Sequence, residues 1–268
     1  MAEREGIHLP HPGLPPPPPP PPTPSEAAVP FNAFDGLGLV VWTIVAQLVV
    51  GIGFAIVLLA SGNSDALDEG GTFQQGPGVL VLAAASQIFT IAGVFAWLNH
   101  RRRLTRHLFG TGSHGLRPVL VGVAAGVGAY VTVTLLVYLG SLVVDTGDPE
   151  QAALEASTEG ALGFVLGIVV AGILAPFLEE VVFRGVLFQA LRHRMGVAWG
   201  VALSSLAFAI VHIELIGQPV FLGGLFALAA FLALLLQWTR SLFVPIVAHA
   251  TFNVITLVLA TFASDPRI

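Results

Sequence analysis

Residues 160–192 read GALGFVLGIVVAGILAPFLEEVVFRGVLFQALR. This run is long and apolar enough to cross a bilayer, yet it carries Glu179, Glu180 and Arg184 in its middle. A single ionised carboxylate in hydrocarbon is costly and two adjacent ones are worse, so such a pair marks a functional site by default. As one helix, the 33 residues would rise about 50 Å. That exceeds the hydrocarbon core, so the segment is either tilted and kinked or split in two.

The rest of the chain agrees with a membrane setting. Of 268 residues, 55 % are hydrophobic and only 10 % are charged, with a mean hydropathy of +0.85. Soluble domains carry about 25 % charged residues, so this chain lacks the polar surface to stay in water. Long apolar runs predict seven spans, at about 37–60, 78–98, 117–144, 160–192, 197–215, 219–238 and 242–262. The count becomes eight if 160–192 is split. The expected fold is all-α, a polytopic transmembrane helical bundle. Three regions follow: a Pro-rich arm over 1–36, N-terminal membrane helices over 37–144, and a core over 160–262.

Charge placement orients the bundle. The 99–117 loop holds Arg101, Arg102, Arg103, Arg106 and Arg117, whereas the 61–77 and 145–159 loops are acidic and have no Arg. Arg192 and Arg194 close the fourth span, and Arg240 separates the sixth from the seventh. With a single crossing over 160–192, every Arg-bearing loop falls on the cytoplasmic side. The expected localisation is thus the cell membrane, with the N-terminus inside and the C-terminus outside. All eleven basic residues are Arg, which hints at a bacterial genome.

The chain has no Cys, which excludes disulfides and thiolate chemistry. Pro15 to Pro22 are unbroken, and Pro10, Pro12, Pro24 and Pro30 flank them. This composition predicts a disordered, extended polyproline arm, and residues 10–30 are a candidate ligand for a proline-recognition domain. No nucleic-acid partner is expected. No internal repeat is visible, which disfavours an inverted-repeat transporter.

Five ionisable residues lie well inside predicted spans: Glu179, Glu180, Arg184, His212 and His249. Lipid-facing placement is costly, so they should share an interior cavity. Glu180 and Arg184 are four apart and can pair on one helix face, an orienting or structural role. Glu179 is rotated about 100° away and is left for chemistry. His249 and Asn253 are also four apart. Glu179 could take a proton from water as general base, with His212 holding that water. His249 and Asn253 could donate to the oxyanion of a tetrahedral intermediate. The set Glu179, His212 and His249 could alternatively hold Zn²⁺, although no HExxH is present. Pro176 and Pro245 lie near these clusters and should distort the backbone there. Gly122-xxx-Gly126 has the spacing of a helix-packing stripe.

Glu179-Glu180-xxx-Arg184, Phe208-xxx-His212 and His249-xxx-Asn253 resemble, in order and spacing, the three motifs of the CPBP (Abi) family. This family includes the type II CAAX prenyl endopeptidases and bacterial relatives that process or confer immunity to bacteriocins. The resemblance covers about 160–262. It implies an intramembrane protease acting on a membrane protein or peptide, labelled a metalloprotease in some accounts and glutamate-dependent in others. It implies that Glu179 and His212 activate water while His249 and Asn253 stabilise the oxyanion. Two other classes stay open: a non-catalytic binding or immunity protein of the same fold, and a proton-coupled transporter.

Overall fold

The computed structural model describes residues 31–61, 77–100, 106–109, 115–144, 160–212 and 217–264. Residues 10–30, the expected proline-recognition segment, lie outside the described residues, as does most of the 1–36 arm. The arm's expected end is too late. Helix α1 (Ala33–Ala60) already starts at Ala33, because Asn32 caps it. The Asn32 side chain accepts from the Asp35 N–H at 3.0 Å, and the Asp35 carboxylate accepts from the Asn32 N–H at 2.9 Å. This reciprocal box satisfies two of the free N–H groups at the helix start.

The remaining helices are α2 (Pro77–His100), a single turn α3 (Arg106–Phe109), α4 (Leu116–Ser141), α5 (Gly160–Ile210), α6 (Pro219–Thr239) and α7 (Phe243–Ser264). Among the described residues six helices are long and apolar enough to cross a bilayer. The seventh expected span is folded into α5. This stretch of 51 residues would be far too long for one crossing. It breaks at Gly196, where φ is 84° and ψ is 170°, a conformation open mainly to glycine. A Cβ built on Gly200 would sit 2.8 Å from the Arg192 Cβ. Residues eight apart cannot meet in a continuous helix, so the chain doubles back at Gly196. The returning arm ends at Ile210 instead of running to 215 as expected. At about 21 Å it is shorter than the hydrocarbon core.

The first arm of α5 runs unbroken through the doubtful region, so 160–192 is one element. It relaxes twice into π-helix, at Ile168–Leu174 and at Glu180–Phe188. Such widened turns are rare and occur often at functional sites. Pro176 opens the five-residue α-helical turn between them, Ala175–Glu179. Pro245 has no comparable effect. It lies in the first turn of α7, and Val244 N–H already donates to the Ser241 carbonyl that Pro245 would otherwise face.

Burial is inverted relative to a soluble protein. Large apolar side chains of α1, such as Leu48, Ile52 and Val57, are exposed, whereas Glu180, Arg184 and His249 are buried. In a bilayer the outward apolar surface meets lipid, so polar side chains belong inside. The helices approach closely through small residues. A Cβ on Gly126 would lie 2.5 Å from the Ala248 carbonyl oxygen, and one on Gly122 would lie 2.6 Å from Val247. The expected glycine stripe therefore lets α4 lie against α7 directly behind His249.

Candidate active site

Every polar residue singled out from the sequence lies on α5, just past its end, or on α7. Glu179 and Glu180 sit at the junction where the α-helical turn gives way to the second π-helical segment. Their environments differ sharply. The Glu180 side chain is fully buried, whereas that of Glu179 is 22 % exposed. One carboxylate of the pair is thus enclosed and its neighbour is reachable.

Glu180 Oε1 lies 2.9 Å from Arg184 Nη1. It also lies 2.9 Å from His249 Nδ1. Arg184 Nη2 donates to the Ala229 carbonyl of α6 at 3.2 Å. A buried charge needs such compensation, and here it falls on Glu180 Oε1, since Glu180 Oε2 is buried without a hydrogen-bond partner among the described residues. Arg184 also stands over the Phe208 ring, 4.5 Å from its centroid, a cation–π contact in a water-poor interior. The sequence does not reveal the link from Glu180 to His249, because these residues are 69 positions apart. Helical spacing finds only partners on the same helix.

Hydrogen-bond partners settle the histidine tautomers. A carboxylate can only accept, so His249 carries its proton on Nδ1 and donates to Glu180. Its Nε2 then points toward Glu179 Oε2, 3.8 Å away. A carbonyl likewise only accepts, so His212 donates from Nδ1 to the Phe208 carbonyl at 2.8 Å. That carbonyl is open because the returning arm of α5 unwinds there: the His212 N–H turns to Ala209 instead. The His212 side chain thus caps the helix end and keeps its Nε2 lone pair free. The Phe208 ring lies beside both imidazoles, with centroids 4.8 Å from His212 and 5.9 Å from His249. Phe208 is the platform between them, a role for which the sequence shows only its place in the motif.

Asn253 sits one turn beyond His249 on α7 but bonds elsewhere. Its Nδ2 donates to the Ala171 carbonyl of α5 at 2.8 Å. One amide N–H is engaged there and the second remains for another acceptor. Beside this link, α2, α5 and α7 frame an apolar cavity of about 760 Å³, lined by Ile88, Ile91, Ile173, Phe177, Ile246 and Val254 among others.

The candidate zinc set is not assembled. Among the described residues no group of three or more His, Cys, Asp or Glu side chains is placed to hold a metal ion. Glu179, His212 and His249 therefore do not form a ready tetrahedral shell, and His249 Nδ1 is already committed to Glu180.

Residues 161–255 match the family model described as type II CAAX prenyl endopeptidase Rce1-like. That segment contains all three motifs and the whole cluster built around Glu180. Over that segment the chain is similar to the CPBP family. Two curated proteins are similar to part of the chain. "Putative membrane peptidase YdiL" of Bacillus subtilis is 32 % identical over 94 residues, covering 35 % of this chain and 37 % of the relative. "Membrane-embedded CAAX protease MroQ" of Staphylococcus aureus is 38 % identical over 87 residues, covering 30 % of this chain and 34 % of the relative. The matches thus span about a third of the length of these relatives. No solved structure matches the chain at a significant level. The chain is a multi-pass membrane protein, and the matched segment lies in the helices that carry the buried charges.

Proposed function

We propose that this protein is an intramembrane endopeptidase in which Glu179 activates water to hydrolyse a peptide bond of a membrane protein or peptide. The observation that carries the proposal is the unequal pair: an accessible Glu179 beside a buried Glu180 that holds His249 in one tautomer. Glu179 takes a proton from water while the oxygen attacks the scissile carbonyl. The His212 Nε2 lone pair accepts from the same water and aims it. The free N–H of Asn253 faces the developing oxyanion, and His249 donates to it from Nε2 as an imidazolium that has taken its second proton from solvent before the attack. Glu179 then delivers the proton to the amine nitrogen as the C–N bond breaks. The names of the two relatives support the reaction class. The apolar cavity beside Asn253 supports a substrate with a hydrophobic segment. By the placement of Arg, the site should be reached from the cytoplasmic side, with the N-terminus inside and the C-terminus outside.

The test compares peptide termini in membranes of cells making the wild type and Glu179→Gln at equal abundance. New termini seen only with the wild type support proteolysis and identify the substrate. Identical termini, with both proteins folded and inserted, would turn the reading toward a binding or immunity protein.

A further inference from the structure

A carbonyl in the middle of a membrane helix needs a donor, and one in α5 cannot get it from its own helix. In the first π-helical segment, Ala175 N–H donates five residues back to the Val170 carbonyl. The next donor in that register, the one that would serve Ala171, is residue 176. Residue 176 is proline and has no N–H. The Ala171 carbonyl instead accepts from Asn253 Nδ2 at 2.8 Å, across 82 positions of sequence.

We infer that Asn253 is a positioning residue that supplies the N–H missing at Pro176, tying α7 to α5 and setting where His249 stands relative to Glu179. The two helices meet on either side of the site. Asn253 lies four residues after His249, and Pro176 lies three before Glu179. Side-chain donors commonly satisfy carbonyls freed by proline in membrane helices. Here the donor comes from a different helix, so the repair also fixes an interhelical register. The same amide keeps its second N–H for the site. This tie between helices stands whether or not the protein cleaves peptides.

The test needs no substrate. Full-length protein in detergent micelles or bilayers is labelled with ¹⁵N-histidine. The ring N–H proton that His249 donates to Glu180 is assigned by its loss in His249→Gln. Four proteins are compared: wild type, Asn253→Ala, Pro176→Ala and the double variant. Asn253→Ala should shift or abolish the His249 ring signal and lower the unfolding midpoint by about 2–4 °C, the size expected for one hydrogen bond in a chain this long. In the Pro176→Ala background the new backbone N–H serves Ala171. There the Asn253→Ala change should leave the midpoint nearly unmoved and the ring signal restored. Asn253→Leu keeps a similar volume but has no donor, and it should behave like Asn253→Ala. An unchanged ring signal in Asn253→Ala, a double variant no better than Asn253→Ala, or a wild-type signal in Asn253→Leu would each overturn the inference. If Asn253→Ala fails to accumulate folded, recovery of folded protein in the double variant is the expected rescue, and equal failure of both overturns it.

Discussion

Two adjacent glutamates of identical chemistry are made different by where their side chains end. Glu180 is enclosed by Arg184 and His249, while Glu179 reaches the accessible side of the same turn. The two should therefore fail differently when altered. Glu179→Gln keeps shape and removes the base; cleavage should fall by about 10²–10⁴-fold. Its unfolding free energy should stay within about 0.5 kcal/mol of wild type. Glu180→Ala leaves the Arg184 charge buried without its partner, and stability should fall by about 3–5 kcal/mol. Denaturant titration of the two variants in one detergent separates these outcomes. Equal destabilisation by both would contradict the assignment. The sequence already pointed to Glu179 as the free carboxylate, because four-residue spacing pairs Glu180 with Arg184. It could not show that Glu180 also fixes the His249 tautomer, since that contact depends on how α5 and α7 pack.

The helices carry the site by close approach and by controlled departures from α-helix. Gly126 brings α4 against the Ala248 carbonyl of α7, one residue from His249. Gly126→Ala inserts a methyl where a Cβ would lie 2.5 Å from that oxygen. It should destabilise the bundle by about 1–3 kcal/mol and slow cleavage. A Cβ added to Gly128, two residues on, would meet nothing within 4 Å, so Gly128→Ala should be neutral or slightly stabilising. Thermal unfolding of the pair checks the contrast. Apolar run lengths and the GxxxG spacing made these helices legible in the sequence. The two π-helical segments were not legible, because they arise from tertiary packing around Pro176 and the buried charges. The fold-back at Gly196 was only half legible. The sequence separated spans at 192 and 197, but the short returning arm ending at Ile210 depends on how the His212 side chain caps the helix.

For the whole molecule, the seven apolar runs read from the sequence and the Arg distribution together predict an orientation. Arg194 should face the cytoplasm and Ser61 the opposite side. The native chain contains no Cys, so single cysteines report without background. Ser61→Cys should react with a membrane-impermeant maleimide on intact cells, and Arg194→Cys only after permeabilisation. The reverse pattern would invert the bundle and place the site's mouth on the outside. The multi-pass architecture was plain from composition. The resemblance over 160–262 rests on three short motifs that the structure gathers around Phe208 and Glu180. What the segment cleaves depends on contacts with another molecule, which neither composition nor spacing encodes.

The proposed reaction turns on Glu179 activating the attacking water without help from a metal ion. The decisive measurement is the initial rate of cleavage of a substrate identified from cellular termini. Purified wild type and Glu179→Gln would be compared in liposomes after exhaustive dialysis against a chelator. The wild type should keep its rate, and Glu179→Gln should lose about 10²–10⁴-fold. Equal rates for the two proteins, or a wild type silenced by the chelator and restored by Zn²⁺, would contradict this role for Glu179.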